Sequence, residues 1–245
     1  MGKVIVITGA GVGLGRALAR RFAKDGDTVV ALGRTLSKVQ VLADELGAPH
    51  FAVECDVQSA DSIRKAFAEI ARRHPKIDVL INNAAIYEPF LIKDATDEQV
   101  LASLLTNFAG PIFTCRAAIP MMEKGGYIIN VTSESVALEF PLLSLYMSTK
   151  AGLERFTQTL HRELEADGIR VSVVRAGPMY EEGKETPGWD PVATQMFSER
   201  CLANGINMMQ RGISQVTSVT DVFRALLDLP ADVRVTHVSL EGRIP

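Results

Sequence analysis

The short β-branched runs in the first half of this chain are separated by stretches of helix length, and none is joined to the next by a two-residue hairpin turn. Antiparallel neighbours can be linked by tight turns, whereas parallel neighbours need a crossover of a dozen or more residues. Residues 3–8 (KVIVIT), 28–33 (TVVALG), 50–56 (HFAVECD) and 77–82 (IDVLIN) read as strands, with helices over 13–26, 37–47 and 59–74 between them. The apolar runs VIVI and VLI lack the alternation of a half-exposed strand, which fits burial on both faces. The rhythm continues through a helical region near 96–122, a strand at 127–132, a long helix from about 145 to 167 and a strand at 169–177. The expected class is α/β, a doubly wound parallel sheet with helices on both faces.

Beyond Pro178 the alternation breaks. Residues 181–191 (EEGKETPGWDP) are turn-rich, and a helix containing MFSERCLA, an irregular NGINMMQRG, a helix DVFRALLDL and a last strand VTHVSL follow. The polar lead and the Met-rich apolar positions suit a substrate lid around 180–215, although ordinary connecting structure has the same composition. No Pro/Gly/Ser-rich linker or repeat divides the 245 residues, so 1–245 is expected to form one domain.

A formal charge of -3 without a basic stripe gives no electrostatic footprint for nucleic acid. No apolar stretch approaches the ~18 residues of a membrane span, and VIVI is too short for a signal-peptide core. A cytoplasmic protein with no membrane partner is expected. Cys55, Cys115 and Cys201 are far apart, and His50, His74, His161 and His237 are scattered, so neither a disulfide framework nor a metal site is expected.

Directly after the first strand stands TGAGVGLG, residues 8–15, opening a helix. Gly9, Gly11, Gly13 and Gly15, with Val12 and Leu14 between them, permit a tight turn and a close approach of a diphosphate to the unpaired N–H groups of the helix. A Rossmann-type dinucleotide site follows, though a methyltransferase also carries a glycine loop here. The end of the second strand separates them. An acidic residue there would hold a ribose, and this chain has Gly33-Arg34. Arg34 offers a planar fork to the 2′-phosphate of NADP, so NADP(H) is preferred and NAD(H) remains possible.

TGAGVGLG, the NNAA of residues 82–85, Ser133 in NVTSES, the YMSTK of residues 146–150 and the RAGP of residues 175–178 stand in one order. Together they resemble the short-chain dehydrogenase/reductase family over residues 3–178. The resemblance implies Tyr146 as general acid/base, Lys150 as its electrostatic partner and ribose ligand, Ser133 as donor to the substrate oxygen and Asn107 as a proton-relay and lysine-positioning residue. It further implies Asp56 and Val57 at the adenine, Asn83, Ala84 and Ala85 behind the cofactor, and Gly177 to Met179 beside the nicotinamide. Three positions depart from the family pattern: Ala85 for a glycine, Ala176 for a proline, and Glu181 near a position where a threonine often reaches the nicotinamide carboxamide.

The residues support the same chemistry without the resemblance. Tyr146 and Lys150 lie four apart on one helix face, so an ammonium near the phenol favours its ionised form and brings its proton nearer neutrality. Ser133 adds a second hydroxyl for a carbonyl oxygen. The expected activity is hydride transfer between NADP(H) and a small-molecule carbonyl or secondary alcohol. A cofactor-sensing regulator without turnover and an epimerase or dehydratase are the alternatives. Tyr87, Phe90, Met179, Trp189, Met196, Phe197, Met208 and Met209 could wall a pocket or belong to core, and Glu134 and Glu139 could face substrate or water. The resemblance also implies a homodimer or homotetramer, and Leu153, Phe156, Leu160 and Leu164 form one apolar face on the long helix.

Overall fold

The computed structural model describes residues 2–181, 188–230 and 232–244. Its first strand, β1 (Val4–Thr8), leads into α1 (Gly13–Lys24), then β2 (Thr28–Gly33), α2 (Leu36–Leu46), β3 (Phe51–Glu54), α3 (Ala60–Arg73) and β4 (Val79–Asn82). Next come α4 (Asp97–Leu104), a π-helical turn at Leu105–Ala109 and α5 (Gly110–Ala118). They precede β5 (Tyr127–Ser133), α6 (Ser144–Glu163) and β6 (Arg170–Ala176). The remainder holds β7 (Met179–Tyr180), α7 (Pro191–Ala203), β8 (Ser214–Gln215), α8 (Val216–Asp228) and β9 (His237–Leu240).

Seven strands form one sheet in the order β3-β2-β1-β4-β5-β6-β9, and every pairing is parallel. The chain winds outward from β1 to β3, returns to the middle at β4 and winds the other way. The carboxyl ends of β1 and β4 are therefore the switch point, where the crossovers diverge and leave a crevice.

Burial on both faces explains the unalternated strands. Ile5 and Ile7 pack with Leu18 and Phe22 of α1 and Phe223 of α8, whereas Val6 points to the other face, with Ile63 and Phe67 of α3 and Leu160 of α6. A third apolar cluster, around Phe140, Leu142, Leu143, Phe197 and Cys201, lies apart from these two. At ~25 cal/mol per Å² of apolar surface, side chains such as Phe22 and Phe223, both fully buried, each contribute on the order of 2 to 3 kcal/mol.

The expected helix near 96–122 is not continuous: the π-helical turn divides it, and a 3-10 turn at Ile119–Met121 ends it. Its start is set by Thr96, whose side chain accepts the Gln99 N–H while the Gln99 side chain accepts the Thr96 N–H. Residues 182–187 of the expected turn-rich stretch, and that part of the expected lid, lie outside the described residues. Of the rest, Asp190 caps α7 by accepting the Val192 and Ala193 N–H groups, and β7 pairs with β8. No described helix is long and apolar enough to cross a membrane.

Candidate active site

The glycine turn is fixed by packing from outside. A side chain at Gly9, where φ is +66°, would come within 2.9 Å of the Ala84 Cα, and one at Gly15 would meet the Gly9 carbonyl at 2.4 Å and the Asn83 Nδ2 at 2.6 Å. These two glycines let the loop after β1 lie against the loop after β4. Thr8 joins the loops, since its Oγ1 accepts both the Asn83 and the Ala84 N–H at 3.0 Å. Asn83 returns the contact by donating to the Thr8 carbonyl at 3.0 Å.

Gly13, the first residue of α1, differs. Among the described residues a Cβ there would have only the Glu181 carboxylate within 4.0 Å, and the Gly13 N–H donates to Glu181 Oε2 at 3.1 Å. The helix start thus faces space that an anion fills, which is the fit a diphosphate-bearing cofactor requires. Val12, at the N-cap position, is half exposed, and Leu14 is buried in the core, so both can border a ligand through backbone alone.

Arg34 is exposed just beyond β2. The glycine before it has a packing role, because a Cβ on Gly33 would lie 2.7 Å from Val39 Cγ1. Asp56 forms a tight turn after β3 by accepting the Gln58 N–H at 3.0 Å, and Val57 is buried beside Gly110. Ala85 is exposed beyond β4, Gly177 sits beyond β6 against the Leu240 carbonyl, and Met179 opens β7. Because the sheet is parallel, all these positions and Ser133 share its carboxyl edge.

At that edge α6 presents Tyr146 and Lys150. The Lys150 ammonium is buried and donates to the Val131 carbonyl at 2.9 Å, with Nζ 5.9 Å from the Tyr146 ring centroid. Burial holds Lys150 down to about 8. Burial likewise pushes the Tyr146 phenol up to about 12, which the Ser133 hydroxyl opposes and Tyr87 and Glu134 reinforce. Desolvation is the largest influence on the phenol, and the Lys150 ammonium is held against a strand carbonyl. At such values the phenol keeps its proton at neutral pH and stands as an acid.

Ser133 Oγ accepts the Ser135 N–H at 3.2 Å, which leaves its own O–H to donate. Asn107, fully buried in the π-helical turn, accepts the Ile86 N–H at 2.9 Å and donates to the Ile86 carbonyl at 2.8 Å. Its amide thus fixes the strand exit behind Asn83-Ala84-Ala85, while Lys150 is held by Val131.

A wall of apolar residues stands against Tyr146. Trp189, Met196, Phe197 and Met208 gather with it in the third cluster, whereas Met179 packs into the main core and Met209 is 93% exposed. The Tyr87 ring lies 5.6 Å from that of Tyr146 and 5.4 Å from that of Trp189, whose Nε1 donates to the Tyr87 carbonyl at 2.8 Å. Glu134 is partly buried. It pairs with Arg211 at 2.6 Å, and the guanidinium lies 5.1 Å from the Phe140 ring centroid. Burial raises Glu134 despite Arg211. Arg211 and the contact between Glu181 and Gly13 had no individual sequence signal. Each depends on a partner far away in the chain.

A parallel sheet wound both ways from a glycine turn, with a serine, a tyrosine and a lysine at its carboxyl edge, defines a dinucleotide-binding oxidoreductase class. The family pattern described as short chain dehydrogenase matches residues 3–186. A mouse (Mus musculus) 3-oxoacyl-[acyl-carrier-protein] reductase is 35% identical over 179 residues, which cover 72% of this chain and 75% of the relative. A short-chain dehydrogenase from Streptomyces avermitilis superimposes with a TM-score of 0.85 at 26% identity, over 99% of this chain and 89% of the other. An alcohol dehydrogenase from Thermococcus sibiricus, solved with 5-hydroxy-NADP, gives 0.82 at 26% identity, over 99% and 97%. The chain belongs to the short-chain dehydrogenase/reductase family.

Proposed function

We propose that this protein is an NADP(H)-dependent oxidoreductase interconverting a carbonyl and a secondary alcohol, with Tyr146 as proton donor and acceptor. The observation that carries the reading is the meeting of the Gly13 anion cradle and the Ser133, Tyr146 and Lys150 set at one edge of one sheet. Arg34, exposed past β2 with no carboxylate at that strand end, favours a 2′-phosphate and hence NADP(H) over NAD(H). The 5-hydroxy-NADP complex of the similar alcohol dehydrogenase agrees with this preference.

When bound, the nicotinamide supplies or accepts the hydride. The residues of the chain manage the proton and the oxygen. Ser133 donates its O–H to the carbonyl oxygen, and Tyr146, protonated at neutral pH, gives its proton to the same oxygen as negative charge develops there. The buried Lys150 ammonium stabilises the phenolate left behind, an effect strengthened by exclusion of water. Asn107 holds the Ile86 backbone, and a role for it in proton relay belongs to the same proposal. The apolar wall around Tyr146 suits a small substrate with an apolar body, and reduction of a ketone agrees with the name of the mouse relative.

The test is oxidation of NADPH and of NADH followed by absorbance against a panel of ketones and aldehydes, with wild type and Tyr146→Phe. Turnover with NADPH that falls by a factor of about 10³ or more in the variant, with NADPH affinity retained, is expected. Undiminished turnover by Tyr146→Phe would remove the phenol from the reaction. Tight NADPH binding without oxidation of any substrate would favour the cofactor-sensing regulator, and product without net cofactor change an epimerase or dehydratase.

A further inference from the structure

We infer that Glu181 is an internal occupant of the dinucleotide cradle and sets cofactor affinity by competing with the diphosphate. This rests on the cofactor reading above. The contact is specific: Glu181 Oε2 accepts the Gly13 N–H at 3.1 Å across 168 residues of sequence. It is also the only anion the described residues bring to this helix start. The N-cap residue Val12 makes no side-chain capping bond, and the first turn of α1 contains no acidic residue. Among the described residues, no other atom comes within 4 Å of a Cβ placed on Gly13.

A helix N-terminus favours one negative partner through its unpaired N–H groups and its dipole. A diphosphate drawn to the same N–H groups meets a carboxylate already bound, and two anions cannot share the donor without repulsion. Binding is then an exchange in which Glu181 leaves α1. Glu181 directly follows β7, which is held to β8 and, through the Ser214 N–H, to the Pro178 carbonyl at 3.1 Å. Its displacement is therefore local, made by one side chain at the end of an anchored ribbon.

The experiment is calorimetric titration of NADPH, NADH and inorganic pyrophosphate into wild type, Glu181→Ala and Glu181→Gln. Glu45→Gln serves as control, since it removes one negative charge from the surface pair with Arg20 without touching the cradle. Tightening of NADPH on the order of tenfold in Glu181→Ala, a parallel gain for pyrophosphate and no change in Glu45→Gln are expected. Thermal unfolding should show the unliganded Glu181→Ala protein melting below wild type but gaining more on saturation with NADPH. A purely structural carboxylate would lower both melting points equally. Unchanged or weaker binding in both Glu181 variants, with wild type binding NADPH, overturns the inference and leaves the cofactor reading standing. Absence of binding of either nicotinamide cofactor to wild type and variants alike removes the cofactor reading, and this inference with it. Binding by the variants alone supports both.

Discussion

Lys150 shows how strongly a single buried charge can be held against the preference of its surroundings. Its folded-state value near 8 lies below the ordinary 10.5, so the unfolded chain binds more protons between those values and stability rises with pH through that window. Below pH 8 the full cost of the buried ammonium is present, on the order of 3 kcal/mol for such a depression. One hydrogen bond, to the Val131 carbonyl, offsets part of it. Lys150→Met keeps the stem and removes the charge, leaving that carbonyl without its donor. We expect the variant to be more stable than wild type by about 1 to 2 kcal/mol at pH 7, a gain that shrinks toward pH 10, and to have lost turnover. Urea unfolding at both pH values checks the sign. A variant less stable than wild type at pH 7 would show that the ammonium holds β5 to α6. Legibility at this scale follows the same distinction. YMSTK revealed which side chains share a helix face, because the helical period is local. It did not reveal which way the phenol is shifted, because desolvation depends on what covers the pair, and Tyr87 and Trp189 come from elsewhere in the chain.

The element that carries the site is α6, and buried polar bonds set its position as much as apolar packing does. Asn82 donates to Asn130 Oδ1 at 2.8 Å, and Asn130 donates to Thr157 of α6 at 2.9 Å. Farther toward the site, Glu154 of α6 accepts from Thr132 of β5 at 2.8 Å and takes a two-point ion pair from Arg175 of β6 at 2.9 and 2.6 Å. Glu154 stands one turn beyond Lys150, so this clamp fixes the height of the helix against Ser133. Glu154→Ala leaves a largely buried guanidinium and a buried hydroxyl without their partner, and we expect a loss of about 3 kcal/mol in denaturant unfolding. Turnover per folded molecule should fall more than NADPH affinity does, since Tyr146 shifts and the glycine turn does not. Loss of affinity equal to the loss of turnover would argue against a positioning role. The boundaries of such elements were legible where local chemistry sets them, as for β1, α1 and β5. The π-helical turn that interrupts the expected helix near 96–122 was not. It occurs where Asn107 bonds a backbone segment that only the tertiary fold brings near.

At the scale of the molecule, the doubly wound sheet was legible because its cause is repetitive: every strand is covered on both sides, so each reads as an apolar run followed by a crossover. What the chain leaves for a second copy was read less well. Leu153, Leu160 and Leu164, expected to face a partner, are buried within the chain itself, with Leu160 and Leu164 in the core of one sheet face and Phe156 packed against it. Among the exposed apolar side chains, two share α4 and a third lies in the turn before it. Leu101 is 56% exposed and Leu104 39%, three residues apart on one helix face, with Ile92 61% exposed nearby in the chain. Scattered exposed leucines are ordinary, but a helix pair sharing one face gains by meeting its own copy about a two-fold axis. We therefore place the proposed homo-oligomer contact on α4. In light scattering after size exclusion, wild type should run as a dimer or tetramer and Leu101→Glu at lower mass, because the substitution sets two like charges against each other across the axis. Val41→Glu, on α2 where Val41 is 69% exposed, should leave the mass unchanged. A wild type of protomer mass, or a Leu101→Glu variant that keeps the wild-type mass, would move the contact elsewhere or abolish it, since a buried carboxylate pair at its centre has no partner to neutralise it.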